Sequence, residues 1–156
     1  MGSKPARSRA EQVLAAAGNV LALSHLGTVQ FEKVSGRPVG RLVNIAGRQR
    51  MLSQRMAAFY FSASWDVQPE ASKAEMMKAR DEFAAGHALL VSAPETTPAI
   101  RDELLLAQQQ FEFYDYALRR LRAGAADAAR MNDVFTTSER ILQVMDKATG
   151  LYSKLS

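Results

Sequence analysis

The chain has no cysteine, which excludes disulfide scaffolds, thiol catalysis and cysteine-based zinc sites. Proline and glycine are sparse, five and nine among 156 residues, and the long stretches they leave uninterrupted favour helices over many short strands. No run of about 18 apolar residues occurs, so no transmembrane span is expected. The opening residues 1–5 lack the apolar core of a signal peptide. Histidine is nearly absent as well. His25 and His87 fall on different segments without acidic partners at ligand spacing, and a helical metal site needs Glu-x-x-His or a comparable cluster. No metal and no cofactor are expected. Neither a nucleophile–base arrangement nor a phosphate loop can be found, so the chain reads as a non-enzyme.

What is present is ordinary for one globular domain with a proper core: 47% hydrophobic and 23% charged residues. The formal net charge is +4, but acids and bases are interspersed. With no basic block and no aromatic-basic patch in the sequence, nucleic acid is not an expected partner, whereas a small anion suits the charge.

Breakers cut the chain into five helical segments. The first covers residues 8–34, up to Ser35-Gly36-Arg37-Pro38, and the second covers 39–65. Asp66-Val67-Gln68-Pro69 opens the third, which ends near Pro94. Thr97-Pro98 reads as an N-cap followed by proline at the first helical position. The fourth closes at Gly124, and Asp127 caps the fifth. Periodicity is cleanest in the last two. Ile100, Leu104, Ala107, Phe111, Tyr114, Leu118 and Leu121 alternate four- and three-residue steps, as do Met131, Val134, Ser138, Ile141, Met145, Ala148, Tyr152 and Leu155. Met76, Ala79, Phe83, Gly86 and Leu90 form a thinner seam. Such stripes predict an all-α fold, an antiparallel up-down four-helix bundle over residues 39–156. Residues 1–38 then supply a tail and an additional N-terminal helix. The start of that helix, Ala10-Glu11-Gln12-Val13-Leu14, echoes Ser138-Glu139-Arg140-Ile141-Leu142, so it is either a plain amphipathic addition or the last helix of an upstream copy of the module.

The second segment is the unusual one. Placing residues about 100° apart gathers Leu42, Ile45, Gln49, Leu52, Met56 and Phe59 into a core stripe, within which the Gln49 amide must find partners. Roughly opposite lie Val43, Gly47, Arg50, Gln54, Ala57 and Phe61. A face exposed to water should be plainly polar, yet this one mixes small, apolar and hydrogen-bonding side chains around one arginine. A second buried seam is the economical reading, most naturally a two-fold dimer interface. Gly47 there permits close approach of another backbone. Arg50 is then either one half of an ordinary interface ion pair or, converging with its copy, a guanidinium fork around a planar oxyanion. Arg41, Arg48 and Arg55, seven residues apart, read as a solvated or salt-bridged edge. The methionines, Met51 and Met56 among them, read as core filling, and Trp65 as a packing anchor.

The run Asn44-Ile45-Ala46-Gly47-Arg48-Gln49-Arg50-Met51-Leu52-Ser53-Gln54-Arg55-Met56 resembles the signature of the type IV pili methyl-accepting chemotaxis transducer N-terminal domain, the PilJ-type sensor domain. That family is similar to the ligand-binding domains of nitrate/nitrite sensor kinases. The resemblance implies a periplasmic, homodimeric sensor bundle that holds nitrate or nitrite at the two-fold axis through a glycine and, three residues on, an arginine. Gly47 and Arg50 match that pair and Met51 the residue after it, with Gln54 one turn further. Arg48 and Gln49 depart from the small or uncharged residues that the nitrate kinases carry between the pair. Two other readings stay open, a protein-docking surface around Arg50 and a structural repeat that binds no small molecule.

Overall fold

The computed structural model describes residues 38–156; the helix expected over residues 8–34, its echo of an upstream repeat, and His25 lie outside the described residues. Four helices follow in chain order: α1 (Pro38–Ser64), α2 (Pro69–Ser92), α3 (Pro98–Arg119) and α4 (Ala128–Ser153). No strand occurs among the described residues.

The helix starts follow from local chemistry. Pro98 opens α3 where no backbone donor is needed, and the Thr97 hydroxyl accepts from the Ile100 N–H at 3.4 Å. The Asp127 carboxylate accepts from the Ala129 and Arg130 amides at 3.0 and 3.4 Å, capping α4. Pro69 opens α2 without a side-chain cap. The turn before it holds two non-glycine residues in the left-handed region, Asp66 (φ 58°) and Gln68 (φ 43°). Hydrogen bonds hold that strained turn in place. The Ser62 hydroxyl donates to the Val67 carbonyl at 2.9 Å and the Ser72 hydroxyl does so at 3.1 Å. The expected end of the fourth segment at Gly124 moves back to Arg119. Gly124 instead takes φ 71° in the connection and donates its N–H to the Ala63 carbonyl of α1 at 3.1 Å. The chain turns away from helix there to tie the α3–α4 loop to the end of α1.

α1 packs against both α2 and α4, α3 packs against α4, and α2 meets α3 more sparsely. The stripes expected on the last two helices are buried from Ile100 to Leu118 and from Val134 to Tyr152. Leu121 and Met131 are partly buried, and Leu155 is exposed at the frayed end. α2 contributes Met76, Ala79, Phe83 and Leu90 to the same core. The thin α2–α3 contact is fastened at two levels. Phe83 stacks on Phe111 with centroids 4.5 Å apart, and Arg80 forks onto Asp115, which also accepts from Arg119 at 2.8 Å. Burial opposes ionisation of Asp115, but the two guanidiniums outweigh it and keep its carboxyl below the usual range.

Deep in the core, the Tyr114 hydroxyl donates to the Ser53 carbonyl of α1 at 2.8 Å. Burial holds that phenol well above its ordinary pKa. Near the opposite end, the Thr96 hydroxyl donates to the Leu90 carbonyl at 2.6 Å and pairs with the Tyr152 hydroxyl at 2.7 Å, joining the α2–α3 loop to α4.

Two expectations need correcting. The buried face of α1 is broader than one stripe. Leu42, Gln49, Leu52 and Met56 are buried as expected, whereas Ile45 and Phe59 are only partly so. Ala57, assigned to a separate second seam, lies in the chain's own core, as do Ala46, Ser53 and Tyr60. A helix wedged between two neighbours buries the intermediate direction as well. Trp65 is not an anchor. It is 61% exposed and touches the Phe61 ring only at a 6.1 Å centroid separation, because α1 ends one residue before it.

Gln49 is 1% exposed, and its Oε1 has no partner among the described residues. Its Nε2 lies 2.1 Å from the place a Cβ on Gly86 would take. The glycine of the α2 seam is therefore there to admit an amide from α1. Gly86→Ala should destabilise the domain by about 1–2 kcal/mol through overpacking. In a Gln49→Ala background the sign should reverse, since alanine is the better helix former by about 1 kcal/mol. Urea unfolding of the four proteins of this cycle checks both signs.

His87 is buried against Phe83, its Nδ1 unpartnered among the described residues. Desolvation lowers its pKa from 6.5. The folded state thus resists the proton that the unfolded chain accepts. Stability contributed by neutral His87 is complete above pH 6.5 and declines as the pH falls below that value. His87→Phe should flatten this decline, measured as thermal midpoints from pH 7.5 downward.

Candidate functional site

The signature residues 44–56 lie on the middle of α1, where three arginines divide between two flanks. Arg48 bonds Glu82 of α2 at 2.8 Å, and Arg55 bonds Glu75 of α2 while its guanidinium lies 5.4 Å from the Phe59 ring centroid. They form the salt-bridged edge read from the sequence. Arg50 faces the other flank, towards α4, and reaches Asp146 with its Nη2 at 3.2 Å. Both partners are wet, with side chains 42% and 63% exposed. The Arg50 Nε is nonetheless buried and without a partner among the described residues, as is Nδ2 of Asn44, six residues before it.

The other expected site residues gather loosely around Arg50. Gln54, one turn on, donates its Nε2 to the Ser138 carbonyl of α4 at 3.4 Å. Met51 is half-buried and leans on the core. Gly47 has nothing within 4 Å of where a Cβ would stand, so no backbone among the described residues approaches it. The residues thus form a half-exposed strip along the α1–α4 junction, not an enclosed pocket.

A second feature is a groove between α3 and α4 of about 660 Å³. Phe113, Tyr116 and Arg120 line it from α3 and its end, and Arg130, Asp133 and Arg140 from α4, with the buried Tyr60 of α1 behind them. A smaller hollow of about 410 Å³ adjoins it, lined by Arg119, Arg120, Leu121, Arg122 and Arg130. This corrects the expectation of no aromatic-basic patch. The fourth segment carries both rings and Arg120, and helix pairing adds Arg130 and Arg140 from α4. One signal was legible. Phe111-Glu112-Phe113-Tyr114-Asp115-Tyr116 doubles an aromatic step, and one ring of each pair must turn outward when the other enters the core. Phe111 and Tyr114 are buried; Phe113 and Tyr116 are exposed.

Among the described residues no group of three or more potential metal ligands is found, and no helix is long and apolar enough to cross a membrane.

Residues 35–137 match the model of the type IV pili methyl-accepting chemotaxis transducer N-terminal domain, PilJ. The chain belongs to this family. No curated protein matches it, and no solved structure does. Membership gives the PilJ domain a sensory role in signalling. The matched span takes in the whole of the α1 strip and most of the α3–α4 groove. Arg140 and Asp146 lie past its end, further along α4.

Because the Arg50–Asp146 pair is largely in water, it should contribute under about 1 kcal/mol to folding. Arg50→Ala is therefore expected to unfold within about 1 kcal/mol of the native protein in urea. Tyr114→Phe, which deletes a buried hydrogen bond, should cost about 1 kcal/mol or more on the same scale.

Proposed function

We propose that this PilJ domain is a non-enzymatic signal-input module of the periplasm that binds a small oxyanion, nitrate or nitrite, between the Arg50 side chains of two copies. The observation that carries the reading is the state of Arg50. Its side chain is half-exposed on a face that mixes small and apolar residues with Gln54, and its buried Nε lacks a partner among the described residues. Orphaned donors of this kind call for an acceptor. The open space beside Gly47 leaves room for a second α1 to approach. A planar oxyanion suits two converging forks, which would otherwise repel. Neutralising them on binding would shift the paired helices between two packings, the form in which such a module passes on a signal.

The bundle is taken to run up-down and antiparallel, with residues 1–38 as a tail and extra helix in front of it. Partner order supports that course. Arg48 and Arg55 of α1 meet Glu82 and Glu75 of α2, and Arg50 and Gln54 meet Asp146 and Ser138 of α4, so rising numbers in α1 meet falling numbers in both neighbours.

One observation favours a second reading. Asp146 already offers Arg50 a carboxylate, which fits a protein-docking or structural face that needs no small anion. The two readings part on Asp146. If an anion binds Arg50, Asp146 competes with it, and Asp146→Asn should tighten nitrate binding severalfold while Arg50→Ala abolishes it. Calorimetric titration with nitrate and nitrite, chloride as the control, measures this. No heat and no thermal shift with any of the three proteins would leave the docking or structural reading standing.

A further inference from the structure

The α3–α4 groove stands apart from the Arg50 strip and has its own chemistry. Three guanidiniums, Arg120, Arg130 and Arg140, line it with a single carboxylate, Asp133. Five arginines outside it are ion-paired: Arg48, Arg50, Arg55, Arg80 and Arg119. In the groove, Arg130 reaches Asp127 only at 3.5 Å, and neither Arg120 nor Arg140 has an ion-pair partner among the described residues. Arg120 lies instead over the Tyr116 ring, 4.3 Å from its centroid. Cation–π contact holds a guanidinium in place without neutralising it. The groove is therefore concave and positively charged.

It is also apolar in a directed way. Phe113 is 72% and Tyr116 60% exposed, two rings on one face of α3 that the bundle does not use. Large aromatics left in water beside charged forks suit a guest with a planar apolar body and an anionic end. A volume of about 660 Å³ falls within the range of small-molecule pockets, about 300–1,000 Å³, and is far larger than a bare oxyanion needs. Asp133 in the same lining tempers the positive field and favours a monoanion over a phosphate dianion.

We propose that the groove between α3 and α4 is a second ligand site, specific for aromatic monocarboxylates. The guanidiniums of Arg120, Arg130 and Arg140 receive the carboxylate, with the ring laid against Phe113 and Tyr116. Nothing in this assignment depends on Arg50 or on an oxyanion at a dimer axis.

The test is calorimetric titration of the full chain with phenylacetate and with indole-3-acetate. Acetate and benzyl alcohol, which each lack one half of the recognised chemistry, and AMP, a ring-bearing phosphate, serve as comparators. Saturable binding of at least one aromatic carboxylate is expected, with each comparator weaker by about tenfold or more. Arg140→Gln and Phe113→Ser, both exposed positions, should each weaken it by about tenfold with the thermal midpoint unchanged, while Arg50→Ala should leave it intact. No saturable binding of either carboxylate, equal affinity for acetate, or binding indifferent to both groove variants would overturn the proposal. Tighter binding of AMP would overturn it as well.

Discussion

α1 packs against α2 on one side and α4 on the other, and this double contact governs the rest of the molecule. A helix with one neighbour can bury a single stripe and leave the remainder polar. α1 buries two flanks and the direction between them, and large side chains do not fill all three. Small ones do so in α1: Ala46, Ser53, Ala57 and Ala63 are each under 5% exposed, interleaved with Leu52, Met56 and Tyr60. The serine is tolerated because its hydroxyl donates at 2.8 Å to the Arg50 carbonyl within the helix. Close packing of α1 in turn brings the Ser53 carbonyl within reach of the Tyr114 hydroxyl, which fixes α3 at the same level although α3 and α1 are not primary neighbours.

The same geometry sorts the charges. Arginines on the α2 side of α1 meet glutamates placed to receive them, and their ion pairs are partly shielded by the helices. Arg50, on the α4 side, meets only a mostly solvated aspartate. One helix thus carries guanidiniums of the same chemistry that differ in how fully they are satisfied. Such differences, more than arginine content, mark where a ligand or a partner can gain free energy. The groove at the far side of α4 repeats the pattern with rings in place of an acid.

Connections do more than join. The α1–α2 turn accepts two left-handed non-glycine residues because three hydroxyl hydrogen bonds, from Ser62 and Ser72, over-determine it. The α2–α3 turn is pinned through Thr96 and Tyr152. Between them they fix both ends of α2, whose lateral contact with α3 rests on one aromatic stack and one forked ion pair.

Fold class, helix order and the caps at Thr97 and Asp127 were legible in the sequence, because heptad-like steps and N-terminal hydrogen bonding are local properties that need no partner. The stripes of α3 and α4 were legible too, since each has one dominant buried face. The unusual α1 run was legible as a signature. Its faces were misread at Ala57 for one reason: a period measured around a single helix cannot say how closely its neighbours will pack around it. Tertiary structure alone decided that Gly86 exists for the Gln49 amide, that Arg50 meets Asp146, and that Trp65 stays in water. It also assembled the arginine-aromatic groove from residues spread over α3 and α4. Each of these depends on distances between helices, and hydrophobic periodicity constrains which side of a helix turns inward but not what stands across from it.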